Sequence, residues 1–346
     1  MEILKELKDI AWDVPESEYR ADLALSYSTL AKYEREGFDK LDKLFEHITT
    51  PSLTEGSAVD VIITGGADEF NDNFVVLDIN VTDGGKDTCS KLVEMNLPFE
   101  TFEEIPEDIV SLAAKDAGFW QADKWNKIRY KKVLETGNIA EYYNAMRHSD
   151  KTILDTKTFE PVQAMVRALR ESPATSGYFA DNDELSPIRR YYQLKFKAKF
   201  GNVPYRCMMD LAIVDYEKKE IIPCDLKTSG HSEWQFENSF MQWMYQLQAR
   251  LYAAILRANL DRDPYFKDFK MLNYRFIVVN KRTLTPLVWE FPLTYAVGDL
   301  VNEDGFVFRH PFTIGEELQG YLNLRPQVPN GINKDGINII KCLRKP

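Results

Sequence analysis

Hydrophobic and polar side chains alternate over residues 191–200 (YYQLKFKAKF). The apolar positions of this stretch are Tyr192, Leu194, Phe196, Ala198 and Phe200. The positions between them are Gln193, Lys195, Lys197 and Lys199. Because successive side chains of a strand point to opposite faces, the pattern predicts a half-buried strand with a basic outer face.

Two more apolar segments follow, each after a turn signal. Leu211–Val214 comes after Gly201-Asn202, and Ile221–Leu226 comes after the charged residues 217–220. Short connections of this kind join neighbouring antiparallel strands. The three segments therefore predict a three-stranded meander.

A helix free of proline and glycine is predicted from Trp234 to Asn259. Its apolar residues recur at spacings of three and four and define a buried stripe. The stripe consists of Phe240, Trp243, Met244, Leu247, Leu251, Ala254 and Ile255. Two further strands, Tyr274–Asn280 and Leu287–Phe291, complete the predicted sheet.

Outside this region the patterns are mainly helical. Residues 105–146 are helix-rich, and Val162–Leu169 predicts a short amphipathic helix. The tail after Phe312 is rich in Gly, Pro and Asn, which predicts irregular surface structure or an oligomer contact. Several aromatic residues of the helical segment stand among basic ones: Trp120, Trp125, Tyr130, Tyr142 and Tyr143. Such a mixture is compatible with stacking on unpaired bases, but aromatic residues at helical spacing more often form a core, and we expect a core here.

Three charged residues of the meander carry candidate chemistry: Asp210, Asp225 and Lys227. Asp225 and Lys227 share one face of a strand, while Leu226 turns into the core. Buried carboxylates are costly unless they are paired or bind a metal ion, and Mg²⁺ is commonly held by one or two carboxylates with waters and phosphate oxygens. An ammonium group beside such an ion can position an attacking water or help to deprotonate it.

The same three residues also fit an exposed hairpin, in which Asp225 and Lys227 form a surface ion pair contributing about 0–1 kcal/mol. Spacing alone does not separate the two interpretations. The apolar residues around both acids favour a buried functional site. Gln248 and Tyr252 are four residues apart on the predicted helix, so they share a face that can meet the sheet.

The order Asp210, Asp225-Leu226-Lys227, then Gln248-x-x-x-Tyr252 on a helix resembles the PD-(D/E)XK nuclease superfamily. It is most similar to the branch that contains the RecB nuclease domain and the RecE-like phage exonucleases. The segment 25–30 (LSYSTL), with Ser26 and Ser28, resembles the Ser-x-Ser-x-Leu element that opens these domains. The segment 55–60 (EGSAVD) resembles their Gly-Ser-Ala-x-His helix start, with Asp60 in place of the histidine.

The resemblance implies a role for each matching residue. Asp210 and Asp225 would bind Mg²⁺ or Mn²⁺, with the Leu226 carbonyl as a further ligand and Lys227 activating or orienting water. Asp60 would support the metal in place of the histidine ligand. The remaining residues would orient the catalytic groups or contact DNA: Gln248, Tyr252, Gln193, Lys195, Lys197, Ser26 and Ser28. Relatives often carry glutamate where this chain has Gln193, so one ligand is weaker or differently placed.

The resemblance covers residues 25–291 and implies an α/β fold with a restriction-endonuclease-like core, in which helices flank a mixed central sheet. Residues 1–61 would form the amino-terminal helical part of the core and residues 185–312 its catalytic part. Residues 62–184 match nothing in the family and are expected to be a helix-rich insertion. Residues 313–346 are expected to be an irregular tail.

Composition limits the location of the protein and the kinds of site it can hold. The chain has 346 residues and 44% hydrophobic residues, contains no run of eighteen apolar residues, and begins with a charged segment unlike a secretory signal. We expect a soluble cytoplasmic protein without membrane contact, in the host cytoplasm if a phage encodes it. Its four cysteines are widely scattered, which argues against a zinc site and a disulfide framework, and we expect Cys207 and Cys224 to be core residues.

A net charge of −11 opposes general binding to nucleic acid, but the basic residues are clustered. The clusters are Lys124 to Lys132, Arg189-Arg190, and the outer face of residues 195–199 beside the candidate site. Acidic residues concentrate elsewhere, at 100–108 and 181–184. A basic face of this kind can guide a DNA strand to the site.

The resemblance leads us to expect a metal-dependent DNA exonuclease that resects linear duplex DNA, and it implies a single-strand annealing protein as a partner and a homo-oligomeric state. Three alternatives stay open: a restriction-type or structure-specific endonuclease, a catalytically inactive DNA-binding or assembly protein, and an interaction protein of virion or host defence.

Overall fold

The computed structural model describes residues 5–37, 41, 44–45 and 51–324. Its helices, in chain order, are α1 (Glu16–Ala21), α2 (Tyr27–Glu36), α3 (Pro51–Thr64), α4 (Gly66–Asn73), α5 (Asp83–Glu94), α6 (Glu107–Asp116), α7 (Arg129–Leu134), α8 (Ile139–His148), α9 (Thr156–Glu171), α10 (Phe236–Gln242), α11 (Tyr245–Arg262) and α12 (Pro311–Leu324). Its strands are β1 (Phe74–Leu77), β2 (Thr152–Asp155), β3 (Ile188–Phe200), β4 (Val203–Asp215), β5 (Glu220–Ser229), β6 (Lys270–Met271), β7 (Tyr274–Asn280), β8 (Leu287–Phe291), β9 (Leu300–Val301) and β10 (Val307–Phe308).

The chain divides into two compact units. The first comprises Met1–Thr50 and Arg167–Pro346, and the second comprises Pro51–Val166. The insertion predicted over residues 62–184 overlaps most of the second unit.

The second unit contains helices α3 to α8 and a parallel pair formed by β1 and β2. As predicted, residues 105–146 are mainly helical. Tyr142 and Tyr143 lie in the core of this unit, which fits the expectation that its aromatic residues form a core. Trp120 and Trp125 are half-buried and contact each other edge to face, with ring centroids 4.7 Å apart.

The first unit is built on a mixed sheet with the strand order β3-β4-β5-β7-β8, and β6 pairs with β5 beside this path. β3, β4 and β5 are successive antiparallel neighbours, β5 and β7 are parallel, and β7 and β8 are antiparallel. α11 packs against β3 and β4 through a largely buried face. The predicted meander and both later strands are therefore confirmed, as is a mixed central sheet flanked by helices.

The cysteines of the meander belong to the core of the first unit. Cys207 and Cys224 are both fully buried, and burial raises the pKa of each thiol. Cys89 is likewise buried and free, and Cys342 lies outside the described residues. The expected role of Cys207 and Cys224 as core residues is confirmed.

The single helix predicted from Trp234 to Asn259 is wrong, because the chain breaks between α10 and α11. Met244 adopts a left-handed conformation with φ of 57° at the break. Residues from both helices then pack on Phe276 of β7, with the ring centroids of Phe240 and Tyr245 at 5.6 and 5.8 Å from it. Trp243, predicted in the buried stripe, is 44% exposed.

The alternation predicted for β3 also fails at one point. Tyr191, and not Tyr192, belongs to the main core, whereas Phe196 and Ala198 lie in the core as predicted. Gln193 between these groups has a φ of +50°, which non-glycine residues seldom adopt. This left-handed residue shifts the side-chain alternation by one position without ending the strand.

Because Gln193 has a positive φ, we expect valine and glycine at this position to differ in their effect on the stability of the protein. Gln193→Val should destabilise the protein by about 1–3 kcal/mol more than Gln193→Gly, because a β-branched side chain is strained at positive φ and glycine is not. Urea unfolding of both variants measures the difference. Lys199→Val, at an exposed position on the same strand, is the control for adding valine. Equal stability of the valine and glycine variants at residue 193 would contradict the left-handed backbone.

The prediction of an irregular tail is wrong for residues 313–324, since Pro311–Leu324 forms α12. Ile314 and Leu318 on this helix are buried in the main core, so tertiary packing stabilises a segment whose composition favours loops. Residues 325–346 lie outside the described part of the chain. Within the described part, the helices are too short or too polar to cross a membrane.

Candidate active site

The candidate site lies where β4 and β5 separate. These strands pair from Asp215↔Glu220 to Leu211↔Cys224, so the next residues on each strand are Asp210 and Asp225. At this point Oδ2 of Asp210 accepts a hydrogen bond of 2.8 Å from the backbone N–H of Leu226. The carboxylate thus takes the place of a backbone acceptor and lies at the opening between the strands.

Asp225 is the most buried acid of the site, with 1% of its surface exposed. The side-chain amide of Gln248 on α11 donates a hydrogen bond to its Oδ1. Its Oδ2 forms an ion pair with Nζ of Lys227 on the same strand. The structure therefore brings together four of the residues selected from the sequence: Asp210, Asp225, Lys227 and Gln248.

Lys227 remains positively charged in this environment. Burial lowers its pKa, but the Asp225 carboxylate, Tyr245 and the Asp210 carboxylate oppose this, and the pKa is raised above its ordinary value of 10.5. Only 19% of its side chain is exposed. Lys227 is thus a fixed cation beside two carboxylates.

Two tyrosines lie near the carboxylates. Burial raises the pKa of Tyr252 on α11 well above its ordinary value, and the charges of Asp225 and Asp210 add to the rise. Tyr274 on β7 behaves in the same way. Both phenols stay neutral and can donate a hydrogen bond. Tyr252 was selected from the sequence, but Tyr274 was missed because nothing distinguishes it from other aromatic strand residues.

Two further tyrosines that the sequence analysis missed lie beside Lys227. Its Nζ is 5.0 Å from the centroid of the Tyr245 ring, a cation–π contact. The rings of Tyr27 and Tyr245 are 6.2 Å apart. Tyr27 stands between the two serines that carried the resemblance and is the first residue of α2.

The serines themselves organise the start of α2. Ser26 is its N-cap and accepts a hydrogen bond of 3.3 Å from the N–H of Thr29. The hydroxyl oxygens of Ser26 and Ser28 are 2.9 Å apart. Their visible role is to hold the helix that carries Tyr27.

The residues selected on β3 have different surroundings. Lys197 forms an ion pair of 2.5 Å with Asp22 and lies 4.9 Å from the Trp12 ring centroid. The backbone oxygen of Lys195 accepts a hydrogen bond from the N–H of Trp12, so the amino-terminal segment covers this edge of the sheet. Gln193 and Asp210 are the unpaired positions between the pairs Tyr192↔Leu211 and Leu194↔Met209 of β3 and β4.

Asp60 belongs to the second unit, on α3. The hydroxyl of Thr64, one turn later, donates a hydrogen bond of 2.9 Å to its backbone oxygen. The metal-ligand role of Asp60 stays a prediction from the resemblance.

The donor groups of the site fit a hard divalent cation. Among the described residues, Gln248 Oε1 is a buried acceptor without a hydrogen-bond donor, and Lys227 is the only partner of Asp225 Oδ2. Buried acceptors of this kind call for a cation or an ordered water. Within the described residues, no three His, Cys, Asp or Glu side chains group together for a metal ion. Two carboxylates with amide oxygens suit Mg²⁺ or Mn²⁺ better than zinc, which prefers nitrogen and sulfur ligands.

Comparison with known proteins adds little to this chemistry. No family model matches the sequence, and no curated protein matches it. A solved structure of a candidate exonuclease from Eubacterium rectale is similar over 97% of this chain and 96% of that chain. The sequence identity is 12% and the TM-score is 0.43, a similarity too low to support an argument about function.

Proposed function

We propose that this protein is a metal-dependent deoxyribonuclease with a PD-(D/E)XK site, which hydrolyses phosphodiester bonds from the ends of linear duplex DNA. The observation that carries the proposal is the grouping of Asp210, Asp225 and Lys227 where β4 and β5 separate. Two carboxylates and a fixed ammonium at a strand opening are what the hydrolysis of a charged diester requires.

Asp210, Asp225 and the carbonyl oxygen of Leu226 would hold the metal ion. When bound, Mg²⁺ or Mn²⁺ supplies a positive charge for the phosphate oxygens and lowers the pKa of water. The hydrogen bond from Leu226 N–H to Asp210 fixes that carboxylate before any ion binds. The hydrogen bond from Gln248 does the same for Asp225.

Lys227 would act through its charge. As an ammonium group it donates hydrogen bonds only, so it orients the attacking water or a phosphate oxygen and stabilises negative charge that develops there. Tyr252, a neutral phenol near both carboxylates, can donate a hydrogen bond to the same region. The resemblance implies activation or orientation of water by Lys227, and the ion pair with Asp225 holds the ammonium group beside the proposed metal ligands in either role.

The proposal extends to the biological setting that the resemblance implies. Resection of a duplex end leaves a single strand, which a single-strand annealing protein can bind. A homo-oligomer that encloses the duplex would make the resection processive. These two proposals depend on the exonuclease activity.

Degradation of end-labelled linear duplex, nicked circular and closed circular DNA tests the function. We expect loss of the linear DNA with Mg²⁺ or Mn²⁺, no loss with EDTA, and intact closed circles. Cutting of closed circles would instead place the protein among the endonucleases. No cleavage of any substrate with either metal would overturn the enzyme proposal and leave a DNA-binding or structural protein.

A further inference from the structure

An exposed tryptophan and an exposed arginine lie together beside the candidate site. Trp243 stands at the break between α10 and α11 and is 44% exposed. The guanidinium carbon of Arg35, near the end of α2, is 5.4 Å from the centroid of the Trp243 ring. Arg35 is exposed and forms no ion pair with any residue that the structure describes. Both a flat aromatic surface and a guanidinium group are therefore open to solvent.

A short series of contacts connects this pair to Lys227. The hydroxyl of Tyr27 donates a hydrogen bond of 2.6 Å to the backbone oxygen of Trp243. Tyr27 also contacts the ring of Tyr245, and that ring lies against Nζ of Lys227. Burial raises the pKa of Tyr245, and the charges of Lys227 and Arg35 both oppose this rise, so the two cations act on one phenol. The exposed pair thus lies at the same side of the first unit as the candidate catalytic lysine.

A single exposed tryptophan needs no explanation, since soluble proteins commonly expose isolated apolar side chains. Trp234 on the preceding turn is an example, since it is 76% exposed and no cation among the described residues lies over its ring. Trp243 differs because a cation lies over its ring and because Tyr27 and the left-handed Met244 hold its backbone in place. Aromatic rings combined with cations form the platforms on which proteins stack unpaired bases.

We propose that Trp243 and Arg35 bind one unpaired nucleotide of a single-stranded DNA segment, the base on the Trp243 ring and the adjacent phosphate on Arg35. Neighbouring bases cover both faces of a base inside a duplex, so only an unpaired or terminal base can stack in this way. The inference rests on the proposed nuclease function, because it places this nucleotide next to the phosphate to be cleaved.

Trp243 and Arg35 together are called the platform below. Binding of a fluorescein-labelled oligothymidylate in EDTA, followed by fluorescence anisotropy, tests the platform without cleavage. Trp243→Ala should weaken binding about 5- to 100-fold, the range for loss of one stacked base. Trp243→Phe keeps an aromatic ring and should stay within about 3-fold of the wild type. Trp234→Ala is the matched control and should leave binding unchanged. Arg35→Ala should reduce the slope of log affinity against log salt by about 0.7, the loss of one phosphate contact.

An oligonucleotide with a single abasic position supplies a readout that a damaged fold would not produce. The abasic position is moved along the oligonucleotide. At the position that faces Trp243, removal of the base should weaken binding to the wild type and to Trp243→Phe but not to Trp243→Ala. Unchanged binding by Trp243→Ala, equal weakening by Trp234→Ala, or no binding of single strands by the wild type at low salt would each overturn the platform. If the platform variants behave as expected but no DNA is cleaved with Mg²⁺ or Mn²⁺, only the proposed nuclease function fails.

Discussion

Asp225→Asn is expected to lower metal-dependent cleavage of linear DNA by about 1,000-fold or more, because loss of a carboxylate ligand removes several kcal/mol of transition-state stabilisation at about 1.4 kcal/mol per tenfold. The replacement keeps the size of the side chain, and its amide oxygen can still accept the hydrogen bond from Gln248. The negative charge beside Lys227 is lost. The measurement is the initial rate of nucleotide release from end-labelled duplex at saturating Mg²⁺.

Two controls separate the loss of chemistry from the loss of structure. Glu220→Gln removes a half-buried carboxylate at the start of the same strand, away from the opening between β4 and β5, and should leave cleavage close to the wild-type rate. Urea unfolding of Asp225→Asn shows whether the variant is folded under the assay conditions. A folded Asp225→Asn variant that cleaves within tenfold of the wild type would refute the assignment of Asp225 as a metal ligand.

Lys227→Met is expected to reduce the cleavage rate by about 100- to 1,000-fold, the usual effect of removing one donor that stabilises developing negative charge. Methionine preserves much of the length and the apolar stem of lysine but carries no charge. Mg²⁺ binding should persist, since both carboxylates remain. Isothermal titration with Mg²⁺ and the rate assay together distinguish loss of the cation from loss of the metal site.

The pH dependence follows from the raised pKa of Lys227. A group whose pKa is higher in the folded state stabilises the fold fully below its unfolded pKa, and this contribution disappears as the pH rises through the folded value. The wild type should therefore be more stable than Lys227→Met by a constant amount from pH 6 to 9, and the difference should shrink above the ordinary lysine value of 10.5. Lys199→Met, at an exposed position on β3, is the control for removing a lysine. A cleavage rate of Lys227→Met near that of the wild type would exclude a role for its charge.

Combining the two substitutions tests whether Asp225 and Lys227 stabilise the fold as a pair. Asp225 and Lys227 neutralise each other in the structure, so each substitution leaves an opposite charge with one partner fewer. The double variant Asp225→Asn with Lys227→Met should therefore be more stable than the sum of the single effects predicts. A double-mutant cycle in urea measures this coupling, and the double variant should cleave no faster than Asp225→Asn alone.

Local patterns determined much of the sheet. Strands β7 and β8 have the predicted bounds, Tyr274–Asn280 and Leu287–Phe291, because runs of β-branched and aromatic residues between turn signals are strand signals that neighbouring segments rarely override. The same reasoning placed Asp225 and Lys227 on one strand face, since side chains two residues apart point the same way. Gln248 could be selected because α11 is regular from Tyr245 onward.

Other features depend on contacts between distant segments, and the sequence alone did not reveal them. Apolar periodicity continues through Trp243 and Met244, but packing of α10 and α11 on Phe276 breaks the helix there and leaves Trp243 exposed. Composition predicted irregular structure after Phe312, whereas burial of one face in the main core makes α12 a helix.

The sequence by itself determined the three strands of the meander, the later strands β7 and β8, and the presence of two acids and a lysine on neighbouring strands, because these follow from local side-chain patterns. Only the tertiary structure decided where β4 and β5 separate, which phenols approach the carboxylates, and that Lys227 stays charged. Each of these depends on side chains far apart in the chain, such as Tyr27, Asp210 and Tyr245, and on the burial of Lys227 and Tyr245, which shifts the pKa of both. Burial and electrostatic coupling are properties of the packed protein, and no local pattern contains them.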